Sequence, residues 1–142
     1  MPLVTEIADV VTAEINGHTF SLPFNAERQY LPVFTLPEMK TLHVTVVPKG
    51  LTVTQIARSK AAYDAQIDVA VQKKIDASDA NELDPLLNLV EEIAEFFRFK
   101  MLPGPLRASW IKTEHPAIYA PEHMDQLRQF TSLLTFTFRV MR

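Results

Sequence analysis

Residues 63–74 read Tyr63-Asp-Ala-Gln-Ile-Asp-Val-Ala-Val-Gln-Lys-Lys74, and this stretch decides the fold class. Tyr63, Ala65, Ile67, Val69 and Val71 fall on one side of an extended chain, and Asp64, Gln66, Asp68 and Gln72 on the other. Successive side chains of a strand leave opposite faces, so the alternation predicts a strand with one face in a core and one in water.

The period of two extends upstream. Between His18 and Lys74 the chain is punctuated by Pro23, Pro32, Pro37 and Pro48, each of which removes a backbone donor and limits where a ladder can run. Leu42, Val44 and Val46 alternate with His43 and Thr45, Pro48-Lys49-Gly50 follows as a predicted turn, and Leu51-Thr-Val-Thr-Gln-Ile56 is β-branched. A hairpin folded at Pro48–Gly50 is the simplest expectation. Arg58-Ser-Lys-Ala61, just before the deciding strand, is predicted as the tip of a long projecting hairpin, the kind of place that makes contacts.

Two helices flank this β region. Val4, Ile7, Val11 and Ile15 recur at spacings of three and four, predicting an amphipathic helix from Leu3 to Ile15. Asn16-Gly17 is expected to stop it through a left-handed residue. After the acidic, turn-like 76–84, Leu83, Leu87, Val90, Ala94 and Phe97 form one apolar stripe, with Leu86, Leu89, Ile93 and Phe96 alongside. Asp84-Pro85 resembles a cap followed by a first-turn proline, although a start near Ser78 or Asn81 fits as well. An apolar arc over more than half the helix exceeds the roughly 100° stripe of an ordinary surface helix. It suits burial between two layers or against a neighbouring subunit.

Pro103-Gly104-Pro105 breaks the chain. A short strand is predicted over Arg107–Thr113, an irregular stretch over Glu114–Pro121, and a helical turn around Glu122–Leu127. The closing strand, Phe130–Met141, puts Phe130, Leu134, Phe136, Phe138 and Val140 on one face with Ser132. The expectation is one α+β domain over residues 1–142, with a mainly antiparallel, mixed sheet packed against two principal helices.

Composition bounds the function. With 142 residues, one core is expected, and 47% hydrophobic against 22% charged residues argues for a packed one. The net charge of −3 and the absence of a basic run speak against sequence-specific nucleic-acid binding. No cysteine is present, which removes disulfides, thiolate metal sites and cysteine nucleophiles. Glu6 and Asp9 interrupt the amino-terminal apolar residues and no apolar run approaches membrane-spanning length, so a soluble chain without a signal peptide is expected.

Catalytic patterns are missing. The three glycines, Gly17, Gly50 and Gly104, lie too far apart for a nucleophile elbow, phosphate loop or dinucleotide fingerprint. His115 and His123, beside Glu114 and Glu122, match no recognised ligand spacing, so ordinary loop residues are expected in place of a metal site. Asp76, Asp79, Glu82, Asp84, Glu91, Glu92 and Glu95 read first as a solvated acidic face and second as an acid–base or cation site. In a ring of identical copies, Asp79, Glu82, Glu91 and Glu95 would suit a lumen or an inter-subunit face. Trp110 and Phe96-Phe97-Arg98-Phe99 read as core or interface packing ahead of a ligand pocket or stacking platform.

The order of elements carries a resemblance. An amino-terminal amphipathic helix, a β region, YDAQIDVAVQKKI, the acidic helix NELDPLLNLVEEIAEFF and the ending APEHMDQLRQFTSLLTFTFRV look like the neck and tail-completion proteins of long-tailed bacteriophages, the tail-terminator and head-to-tail joining group. The likeness runs over the whole chain and is sharpest over 63–97 and 118–141. It implies a non-enzymatic virion protein, assembled in the host cytoplasm, whose copies form a ring, taken as hexameric, at the head-proximal end of the tail tube. Implied partners are other copies of the chain, the tail tube protein and the head-closure or connector protein, with DNA passing through unread, and no cofactor, metal or membrane.

The residue pattern adds candidate contacts at Arg58 and Lys60 on the hairpin, and Leu89 and Phe96 on the flank of the second helix. Competing readings are a head-closure or other neck adaptor, a small-ligand binding module and, more weakly, an enzyme centred on His115, Glu122 and His123.

Overall fold

The computed structural model describes residues 2–30, 41–74, 80–115 and 129–142. In chain order these form α1 (Leu3–Asn16), β1 (Ala26–Arg28), β2 (His43–Ala57), β3 (Lys60–Lys74), α2 (Ala80–Phe97), β4 (Ser109–Glu114) and β5 (Gln129–Met141). The strands make one sheet in the order β1-β2-β3-β5-β4, with β1 parallel to β2 and every other pair antiparallel. The α+β expectation holds.

The deciding strand lies at the centre of the sheet. Val69 pairs with Val46 on one side and Leu134 on the other, and Ile67 with Pro48 and Phe136. Cross-strand partners share a face, so the apolar residues of β2, β3 and β5 make one continuous layer. α1 covers it over β1, β2 and β3, and α2 covers it over β5. Ile7, Val11 and Ile15 from α1, Leu86, Leu89, Ile93 and Phe97 from α2, and Phe136 and Phe138 from β5 are all buried. Phe97 sits edge-on to Phe136 and Phe138, with ring centroids 5.0 and 5.9 Å away, in the geometry that aromatic quadrupoles favour.

The opposite face is drier than the alternation implies. Gln72 is buried and Asp64, Gln66 and Asp68 are half-buried. Two of these carboxylates are held by β5: Arg139 donates to Asp64 through Nε (2.7 Å) and Nη2 (3.0 Å), and Thr135 donates to Asp68 (2.7 Å).

Several expectations need correction. No hairpin forms at Pro48-Lys49-Gly50: β2 runs straight through it, and the register against β3 slips between Pro48 and Gly50 as a bulge. The bulge accommodates the extra residue without turning the chain, and a proline is tolerated where β1 no longer pairs, since β1 reaches only Val44–Val46. The chain reverses instead at Arg58-Ser59.

Gly17, expected in a left-handed conformation, has φ −84° and ψ −6°. A Cβ there would lie 3.3 Å from the Ala13 carbonyl oxygen, so the glycine serves a close approach of backbone and not a reversal of φ. Asn16 then fixes the exit: its Nδ2 donates to the Ala26 carbonyl (3.0 Å) and its Oδ1 accepts from the Ala26 N–H (2.7 Å). These two bonds set the first residue of β1, a strand with no signal of its own in sequence.

α2 begins at Ala80, as the earlier start near Ser78 or Asn81 allowed, so Pro85 lies inside the helix, not in its first turn. β4 starts at Ser109 because Arg107 adopts φ 51°, which no strand tolerates. The predicted helical turn at Glu122–Leu127 lies outside the described residues.

Candidate assembly surface

β2 divides into two halves. Val44, Thr45, Val46 and Val47 are all buried, Val44 and Val46 on the face that α1 covers, whereas every residue from Leu51 to Ala57 is exposed. Among the described residues this outer half pairs only with β3, leaving a row of backbone donors and acceptors and three apolar side chains, Leu51 (44% exposed), Val53 (53%) and Ile56 (49%). Soluble proteins usually blunt or cover such an edge. Leu51 pairs with Ala65 and Val53 with Tyr63, so both stand on the face that is core elsewhere, beyond the reach of the helices.

The hairpin tip is basic. Arg58 and Lys60 are exposed, and Arg142 is drawn beside them by reciprocal backbone bonds with Ala61 (2.9 and 3.0 Å). The Arg142 guanidinium lies 5.0 Å from the centroid of the Tyr63 ring. Among the described residues neither Arg58 nor Lys60 forms an ion pair.

The far edge of the sheet carries a second apolar surface. Phe99 is 78% exposed, and Met101, two residues on, and Ile111 of β4, next to Trp110 in the chain, are exposed as well. Trp110 packs edge-on to Phe99 at 5.4 Å, and the Arg98 guanidinium lies 5.0 Å from the Phe99 centroid. Phe99 holds φ 59°, an uncommon conformation for a bulky residue, and its ring stays outside while Phe97 fills the core.

α2 flanks this same edge. Leu87, Glu91 and Ala94 line one wall of a cleft whose other wall is Thr113 and His115 of the β4 side and Leu134 of β5. Asp84, Glu91 and Glu95 lie exposed on one stripe of the helix, and among the described residues the ion pair made by this stripe is that of Glu95 with Arg98, at 3.5 Å.

The predicted contact residues separate on this geometry. Arg58 and Lys60 stand at a projecting tip as expected. Leu89 is fully buried, and Phe96 is half-buried beneath His18 and Phe20, with centroids 4.5 and 5.6 Å away and Lys100 Nζ at 4.4 Å. The segment after α1 therefore covers the flank expected to meet a neighbour, and burial within the protomer accounts for most of the over-wide apolar arc. Of the acidic set, Glu91 and Glu95 are exposed, Glu82 is half-buried, and Asp79 lies outside the described residues. Sequence reasoning placed Phe99 in a cluster read as core or interface packing and missed Met101, Ile111 and the outer half of β2, whose apolar character is plain in sequence but whose exposure is not.

Of the residues weighed as a chemical centre, only Glu114 and His115 are among the described ones. His115 Nε2 lies 2.9 Å from Ser132 Oγ, and Glu114 pairs with Lys112 at 3.2 Å, while Glu122 and His123 lie outside the described residues. No group of three or more metal-ligating side chains occurs among the described residues. The hydrogen bonds and charge of Arg139 hold Asp64 below the usual carboxylate range, against the opposing effect of burial, and this carboxylate serves to join β3 to β5.

No protein-family model matches the chain, and no curated protein is similar to it. Among solved structures, the chain is similar in fold to one in the virion of a native gene transfer agent particle. The TM-score is 0.55 and the identity 11%, with 94% of this chain and 85% of the other covered. At that identity the likeness is one of fold, and it spans nearly the whole molecule.

Proposed function

We propose that this chain is a structural subunit of a virion, and that its copies close a hexameric ring at the head-proximal end of a tail tube, ending tube growth and joining the tail to the head connector. The observation that carries the reading is the fold shared, over 94% of the chain, with a chain of a gene transfer agent virion. Two further features support it. Among the described residues, exposed apolar side chains lie toward both edges of the sheet, and a contact between unlike surfaces of identical copies closes into rings when the rotation permits. The described residues present packing and charge where an enzyme would present convergent catalytic groups.

The ring would bind the tail tube protein on one side and the connector on the other, with DNA passing through unread, consistent with a net charge of −3. The test is the mass of the purified protein, alone and mixed with its tail tube protein, by size exclusion with light scattering. A ring in either sample is expected. A monomer in both, with no co-elution, removes the reading and turns attention to a ligand-binding module.

A further inference from the structure

We infer that the outer half of β2 and the hairpin tip of one copy seat against the β4 side of the next, with Leu51 and Val53 meeting Phe99 and Ile111, and Arg58 and Lys60 facing Glu91 and Glu95. This contact rests on the ring proposed above and names the surfaces that would build it.

The argument starts from placement. The two apolar surfaces lie toward opposite edges of one sheet, on the half of β2 beyond the reach of β1 and on the β4 side, with β3 and β5 between them. A chain with complementary surfaces on opposite sides associates head to tail. Self-pairing of two tips would instead set Arg58 and Lys60 of one copy against the same cations of the other, and like charges brought together across an interface oppose association.

Charge and length agree with the head-to-tail arrangement. The tip carries Arg58, Lys60 and Arg142, and the exposed stripe of α2 carries Asp84, Glu91 and Glu95. The open half of β2 is seven residues long, which at about 3.3 Å per residue spans roughly 23 Å. The helix stripe from Asp84 to Glu95 spans roughly 17 Å at about 1.5 Å per residue. The arm can therefore lie along the edge of the neighbour with its cations in reach of the stripe.

Charge reversal tests this. In the ring-forming sample, Arg58→Glu with Lys60→Glu should weaken assembly on the order of tenfold or more, as should Glu91→Lys with Glu95→Lys, while mixing the two variants should restore it. All four side chains are solvent-exposed, so thermal unfolding of each variant should match the parent. The absence of native cysteine permits a second test. Val53→Cys and Ile111→Cys, made on separate chains and mixed, should form a disulfide between copies under mild oxidation. Parent rings together with unchanged assembly of the Arg58→Glu, Lys60→Glu variant would overturn the contact and leave the ring standing. So would cross-linking of the Val53→Cys chain to itself alone. Failure of the parent to assemble under any condition would remove the ring and this contact together.

Discussion

Along β2 one kind of residue meets two environments. Val46 is fully buried and Val53, seven residues on, is 53% exposed, although both pair with β3 on its core-facing side, Val46 with Val69 and Val53 with Tyr63. The strand does not change character between them; the cover above it does. α1 lies over the first half, and no described element lies over the second. Sidedness is thus a local property, fixed by the alternation of the chain, whereas burial depends on how far the helices extend. An apolar face that outruns its helices marks a surface awaiting another molecule.

The largest effect expected from this contrast is on stability. Val46→Ala removes two buried methyl groups and leaves a cavity between α1 and the sheet, costing about 2 kcal/mol by transfer and cavity terms together. Val53→Ala, with the same atoms removed, should change the stability of the isolated protomer by less than about 0.5 kcal/mol. Urea unfolding of both variants measures the difference. Equal losses would mean that the outer half of β2 is covered within the protomer.

Next in size is the bracket that starts β1. Asn16→Ala removes both bonds to Ala26 and leaves that buried residue's N–H and carbonyl without partners, costing about 1–3 kcal/mol. β1 is the only strand pairing the first half of β2 along its outer edge among the described residues, so amide exchange should rise at Ala26–Arg28 and spread to Val44–Val46. Protection unchanged there would show that β1 is held by its ladder alone.

These cases show what the sequence exposes and what it hides. The strand over 63–74, the closing strand and both helices were legible because each has a periodicity that only one element type satisfies. The tip at Arg58-Ser59 was legible because two β runs abut it. β1 was not: three residues, Ala26-Glu27-Arg28, have no period, and a side chain ten residues upstream fixes their position. Leu89 and Phe99 mark the same limit at the surface. Leu89 sits on a stripe wider than a surface helix needs and is fully buried in the core, while Phe99, in a cluster read as core or interface packing, stands 78% exposed in a left-handed conformation of its own backbone.

A smaller effect is expected from the ion pair that links β3 to β5 at the base of the arm. Asp64 has its folded pKa lowered by the hydrogen bonds and charge of Arg139, so the stability it contributes is present above the unfolded carboxylate value of about 3.9. It is lost as pH falls from there through the lowered value. The Arg139 side chain is 39% exposed and solvent screens the pair, so the contribution is about 0.2–1 kcal/mol. Asp64→Asn should therefore be less stable than the parent at neutral pH, and the two unfolding curves should converge in acid. A difference that persists below pH 2 would assign the loss to packing and not to charge.

The smallest change bears on the point where the two halves of β2 join. Had Pro48-Lys49-Gly50 formed the predicted turn, Gly50 would be the natural place for a left-handed residue and alanine there would be strained. In the bulged strand Gly50 has no such φ, and an added Cβ would meet nothing nearer than Gln66 Oε1 at 3.7 Å, an ordinary contact. Gly50→Ala then restricts the unfolded chain more than it disturbs the folded one, and should stabilise by about 0.4–1 kcal/mol. Thermal unfolding reads the sign directly. Stabilisation is the signature of a strand running through to an open edge; destabilisation would mean that the chain turns at Gly50, and the exposed half of β2 would no longer be the continuation of a core strand.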